Sequence, residues 1–107
     1  MNFIYRTLIL GVSSIGDTIK IGTYNFASRE QKAINLYSAV GIGIILSTGI
    51  GLSSIIIWNT YGKEVKTISS ANVNGSIVAS FNGGIFYVEN DSSYGGMFKI
   101  IQFVYYY

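Results

Sequence analysis

The feature that most constrains this chain is a stretch of 23 residues, Leu36 to Trp58, without one charged side chain. As an α-helix it would rise about 34 Å at 1.5 Å per residue, enough to cross a hydrocarbon core of about 30 Å with some tilt. Burying such a helix inside a water-soluble protein takes a large surrounding core, and a chain of 107 residues supplies one small domain. Tyr37 lies at one end of the stretch, with Trp58 and Tyr61 at the other. Those are the depths at which amphipathic rings settle at the headgroup boundary. Arg29 and Lys32 flank one side, Lys63 and Lys66 the other. The pattern predicts a transmembrane span over 36–58. It lies within a helix over 28–61, begun by Ser28 as N-cap and Gln31 as its capping-box partner. Four basic residues precede the span and three follow it, so charge barely orients it.

Glycine interrupts this apolar run repeatedly, although it costs a helix roughly 1 kcal/mol against alanine. In a membrane helix the reason would be close packing. Ala39, Gly43, Ser47 and Gly51 recur every four residues and would form one small-residue face. Gly41, Gly49 and Ser53, with Ile45 between them, would form a second face nearly opposite. Two such faces predict a helix packed on both sides, against other transmembrane helices of a hetero-complex or of further copies. Leucine at Gly43 or Gly51 would then weaken assembly and spare insertion.

Around the span the chain reads differently. Residues 1–16 carry Ile4, Leu8, Val12 and Ile15 at helical spacing but are too short to cross a bilayer. They read as an interfacial or partner-bound amphipathic segment, with a signal segment as the alternative. Ile19 and Ile21 alternate with polar residues, as in a short strand or an extended linker. Together 1–27 form an N-terminal arm. After Gly62 the sequence turns rich in β-branched and aromatic residues, punctuated by Asn74-Gly75, Asn82-Gly83-Gly84, Asn90–Ser93 and Gly95-Gly96. Such punctuation marks hairpins. It predicts strands near 64–70, 76–81, 85–89 and 97–105, arranged as an antiparallel meander over 62–107. The expected fold class is thus α+β: a short amphipathic segment, a single transmembrane α-helix, then a small antiparallel β-module.

Composition limits the chemistry. Histidine and cysteine are absent, which removes the commonest bases, nucleophiles and transition-metal ligands. Glu89 and Asp91 are close in sequence but match no calcium loop. The seven basic residues are scattered, which argues against nucleic acid. Asn74-Gly75-Ser76 and Asn90-Asp91-Ser92 match the glycosylation sequon. No catalytic residue, cofactor, metal or small-molecule substrate is expected. The sequence reads as a non-catalytic subunit of a membrane-embedded assembly, such as an organellar respiratory complex, with the bilayer and other helices as partners. Its location would be a mitochondrial inner, viral or bacterial membrane. The alternative is a self-assembling protein of a virion membrane, a capsid anchor or a filament.

Overall fold

A computed structural model describes residues 19–104. These form eight strands: β1 (Ile19–Phe26), β2 (Gln31–Ala33), β3 (Val40–Ser47), β4 (Leu52–Asn59), β5 (Glu64–Asn72), β6 (Gly75–Asn82), β7 (Ile85–Ser92) and β8 (Gly96–Val104). All pairings are antiparallel. One sheet has the order β1-β8-β3-β4-β5, the other β2-β7-β6. The two share one core that includes Phe26, Ile45, Ile56, Trp58, Val88, Phe98 and Ile100.

The expected α+β membrane fold is therefore corrected to all-β. Among the described residues there is no helix, and so none long and apolar enough to cross a membrane. The charge-free stretch is instead mostly a hairpin, β3 and β4, joined by the four residues Thr48 to Gly51. Periodicity hid this because the hairpin is apolar on both faces, so hydropathy does not alternate along it. What alternates over residues 40–44 is size. Gly41, Gly43, Ile45 and Ser47 point inward, and Val40, Ile42, Ile44 and Leu46 point outward. The span on which the membrane location and the membrane-embedded subunit rested is thus two strands among the described residues, and the virion-anchor and filament readings built on the same helix are corrected with it.

Trp58 explains two of the glycines. It pairs with Gly41 across the hairpin and is 4% exposed. A Cβ on Gly41 would lie 2.4 Å from the indole ring, and one on Gly43 3.1 Å from it. The indole thus covers both glycines inside the sandwich, and its Nε1–H donates to the Ser38 carbonyl at 3.0 Å. Gly51 has a different task. It takes a φ of 79° at the end of the β3–β4 loop, where a side chain would be strained. Ile50, beside it, is buried and closes one end of the core.

The supposed helix start at Ser28 is a corner between the sheets. Glu30 N–H donates to the Ala27 carbonyl at 3.1 Å, and Ala27 N–H donates back to Glu30 Oε1 at 2.8 Å. Arg29 adopts a φ of 63°, which ends any helical path.

Downstream, the strands lie close to the expected positions, but the meander does not form. Of the consecutive pairs, β6 and β7 are joined, through Gly83 and Gly84 with φ of 61° and 83°. That is the two-residue turn with positive φ at both positions that matches strand twist. β5 pairs instead with β4, and β8 inserts between β1 and β3. Strands β5 and β8 are thus paired with strands that precede residue 62 rather than with each other's neighbours in a meander. The amphipathic reading of 1–16 lies outside the described residues.

Candidate functional site

The two outer faces of the sandwich differ in chemistry. On the three-stranded sheet, Gln31 and Val78 flank Glu89, and Ala33 and Ser80 flank Tyr87. Arg29 pairs with Asp91 beside them. This face is mixed and mostly polar.

The outer face of the five-stranded sheet is apolar. Register places Ile19, Phe103, Ile42 and Ile57 in one row across β1, β8, β3 and β4, ending at Lys66 on β5. The next row holds Ile21, Ile101, Ile44 and Ile55, ending at Ser69. A third runs through Thr23, Lys99, Leu46, Ser53 and Ala71. Several of these side chains stand well into solvent: Ile21 is 62% exposed, Ile42 48%, Phe103 41% and Ile55 40%. From such fractions the face exposes on the order of 600 Å² of apolar surface, the upper end of what a monomer carries as one patch. Two shallow depressions of about 270 and 330 Å³ open on it. One lies around Leu46, Ile55 and Ser69, the other around Val40, Ile57 and Lys66. The first sits beside a bulge, where β5 places Ser69 opposite Ile55 and Thr67 opposite Ile56, leaving Ile68 unpaired.

The sequence-predicted packing residues scatter over this framework. Gly41, Gly43 and Ser47 face the core on β3. Ser47 donates to the Met97 carbonyl at 2.9 Å. Gly49 and Gly51 lie in the β3–β4 loop, Ala39 precedes β3, and Ser53 faces outward on β4. The helix that would have gathered them on two faces is absent from the described residues. The expected membrane anchors part company too. Trp58 is a core residue, Tyr61 is 84% exposed in the β4–β5 loop, and Tyr37 precedes β3 with Lys20 Nζ 5.6 Å above its ring. The residues that sequence reasoning missed are the isoleucines between the glycines. The signal for them was the Gly-Ile-Gly-Ile alternation itself.

Two polar clusters lie within the sandwich, one on β8 and one at the corner beside β7. Buried Gln102, on the inner side of β8, donates through Nε2 to the Asn35 carbonyl at 2.8 Å and accepts from Tyr37 N–H at 3.1 Å. Asn90, fully buried, donates through Nδ2 to the carbonyls of Ala27 at 3.0 Å and Tyr94 at 2.7 Å. Ser92 Oγ lies 2.8 Å from Asn90 Oδ1, and Ser28 Oγ donates to the Ser92 carbonyl at 2.8 Å. Asn90 in this second sequon is thus a structural residue, its amide committed to the corner. Glu30 lies at the same corner. The Ala27 amide and then Lys32, whose Nζ is 3.2 Å from Oε2, hold its carboxyl below the usual range.

A cleft between Tyr24, Tyr37, Lys20 and Gln102 encloses about 90 Å³, well under the roughly 300 Å³ at which ligand pockets begin. Burial, and Tyr37 close by, push the Tyr24 phenol upward. Asp91, one of the two acids singled out in the sequence, is occupied by Arg29 and by Ser76 Oγ at 3.3 Å. Among the described residues no group of three acids could hold a metal.

No protein-family model matches the sequence, and no curated protein matches it. Among solved structures, the chain is similar to the tailspike protein of Acinetobacter phage vB_ApiP_P1, at 16% identity and a TM-score of 0.43. The similarity covers 80% of this chain and 21% of that one, so the chain spans about a fifth of that protein's length.

Proposed function

We propose that this domain is a non-catalytic assembly module that docks to protein through the outer face of its five-stranded sheet. One observation carries the reading: the two fully apolar rows across four strands of one sheet face solvent, while the opposite sheet's outer face is mixed, with Gln31, Ser80, Glu89 and Asp91 beside Val78 and Ile85. Antiparallel sheets that meet water carry polar residues on that side, so an apolar outer face is a surface made to be covered. The absence of histidine and cysteine, and the engagement of Asp91 and Glu30 in structural contacts, agree with a role without turnover.

Hydroxyl-radical footprinting tests this on the chain in its native source material and after purification at high dilution. Oxidation of Ile42, Ile55, Ile57 and Phe103 is expected to fall severalfold in the native material, with Tyr87 on the polar face unchanged. Equal oxidation of the apolar face in both settings would remove the docking role.

A further inference from the structure

We infer that the occupant of this face is a second copy of the chain, with the two five-stranded sheets closing face to face about a two-fold axis. The inference rests on the docking reading above and names its partner. Area is the first argument. Two faces exposing on the order of 600 Å² each remove about 1,200 Å² when fully closed, the lower edge of the standard size of a stable interface.

Self-tolerance is the second argument. About a two-fold axis, residues near the axis meet their own counterparts, so a central charge would face its like. The middle strand β3 places Ile42 and Ile44 there, between Ile101 and Phe103 on one side and Ile55 and Ile57 on the other. No charge lies in that centre. Lys99 falls in the third row, and Lys66 stands at the β5 margin beside Glu64. A sheet with short aliphatic side chains packs against another sheet at about 10 Å with aligned strands.

The test uses the full chain, whose lack of cysteine allows single thiols to be placed. Ile44→Cys and, separately, Ile42→Cys are treated with a short bis-maleimide across a dilution series. Tyr87→Cys on the opposite sheet serves as the control. The expected result is covalent dimers from both β3 variants, fading on dilution, and none from Tyr87→Cys. Sedimentation equilibrium of the unmodified chain should give a dimer, and Ile42→Lys should raise its dissociation constant at least tenfold. Equal cross-linking at Tyr87 would overturn the inference. So would a monomer at every concentration. A monomer whose face is already shielded by residues 1–18 of the same chain overturns it too. If the native footprint persists while the purified chain is monomeric, the docking role stands and the second copy is excluded.

Discussion

Replacing Trp58 with alanine is expected to cost about 3–5 kcal/mol of unfolding free energy, the range for deleting a large buried aromatic side chain. Domains of this size carry about 5–15 kcal/mol in total, so the variant should lose a third or more of a mid-range stability and unfold at a much lower urea concentration. The indole covers Gly41 and Gly43, and its Nε1–H satisfies the Ser38 carbonyl. Its removal leaves both a void and an unpaired acceptor. Gly41→Val attacks the same contact from the other side. Its Cβ would stand 2.4 Å from the ring and 2.9 Å from the Phe103 carbonyl oxygen. Overpacking of this kind costs about 1–3 kcal/mol. The double variant should recover part of the loss, because the valine enters space the ring has left, with a coupling of about 1 kcal/mol or more. Urea unfolding of the four proteins measures this. Strict additivity would mean that the tryptophan does not lie over the glycine.

Asn90→Ala is expected to lower stability by about 1–3 kcal/mol, because the Ala27 carbonyl loses its side-chain donor and the Tyr94 carbonyl keeps only Ser92 Oγ, at 2.9 Å. Asn90→Asp should cost at least as much at neutral pH. A carboxylate cannot donate, and it would face two carbonyl oxygens in a buried site. The damage should be directional. This residue joins the turn after β1 to the connection between β7 and β8, so protease cleavage within 27–30 should rise before cleavage within 48–51. Urea unfolding and timed proteolysis check both statements. A loss below about 0.5 kcal/mol, the level of an ordinary surface substitution, would contradict the assigned role.

These residues show what the sequence displayed and what it concealed. The turns after residue 62 were legible because Gly83 and Gly84 need positive φ and sit between apolar runs. The pairing of those strands was concealed. β8 lies between β1 and β3 through contacts more than 50 residues apart in sequence, which no local pattern encodes. The hairpin of β3 and β4 was concealed for a different reason. An uncharged run of 23 residues fits a membrane helix by length, and a strand apolar on both faces gives no alternation in hydropathy. The glycines were noticed but assigned the wrong neighbour. At four-residue spacing they suggested another helix, whereas at two-residue spacing Gly41 and Gly43 make room for Trp58. The candidate face was legible in part. Eighteen isoleucines are consistent with strands, but the run that holds Ile42, Ile44, Ile55 and Ile57 was read as a helix, and their rows appear only once strands distant in sequence are in register.

The outer face exists only if residues 40–59 are two paired strands, so the most direct test is backbone NMR of the isotope-labelled full chain. The structure predicts cross-strand contacts between Ile42 and Ile57, Gly43 and Ile56, and Ile44 and Ile55, with β-region chemical shifts on both sides of the Thr48–Gly51 loop. Contacts between residues three apart running without a break through 38–58, with helical shifts, would restore the membrane helix and remove the docking face.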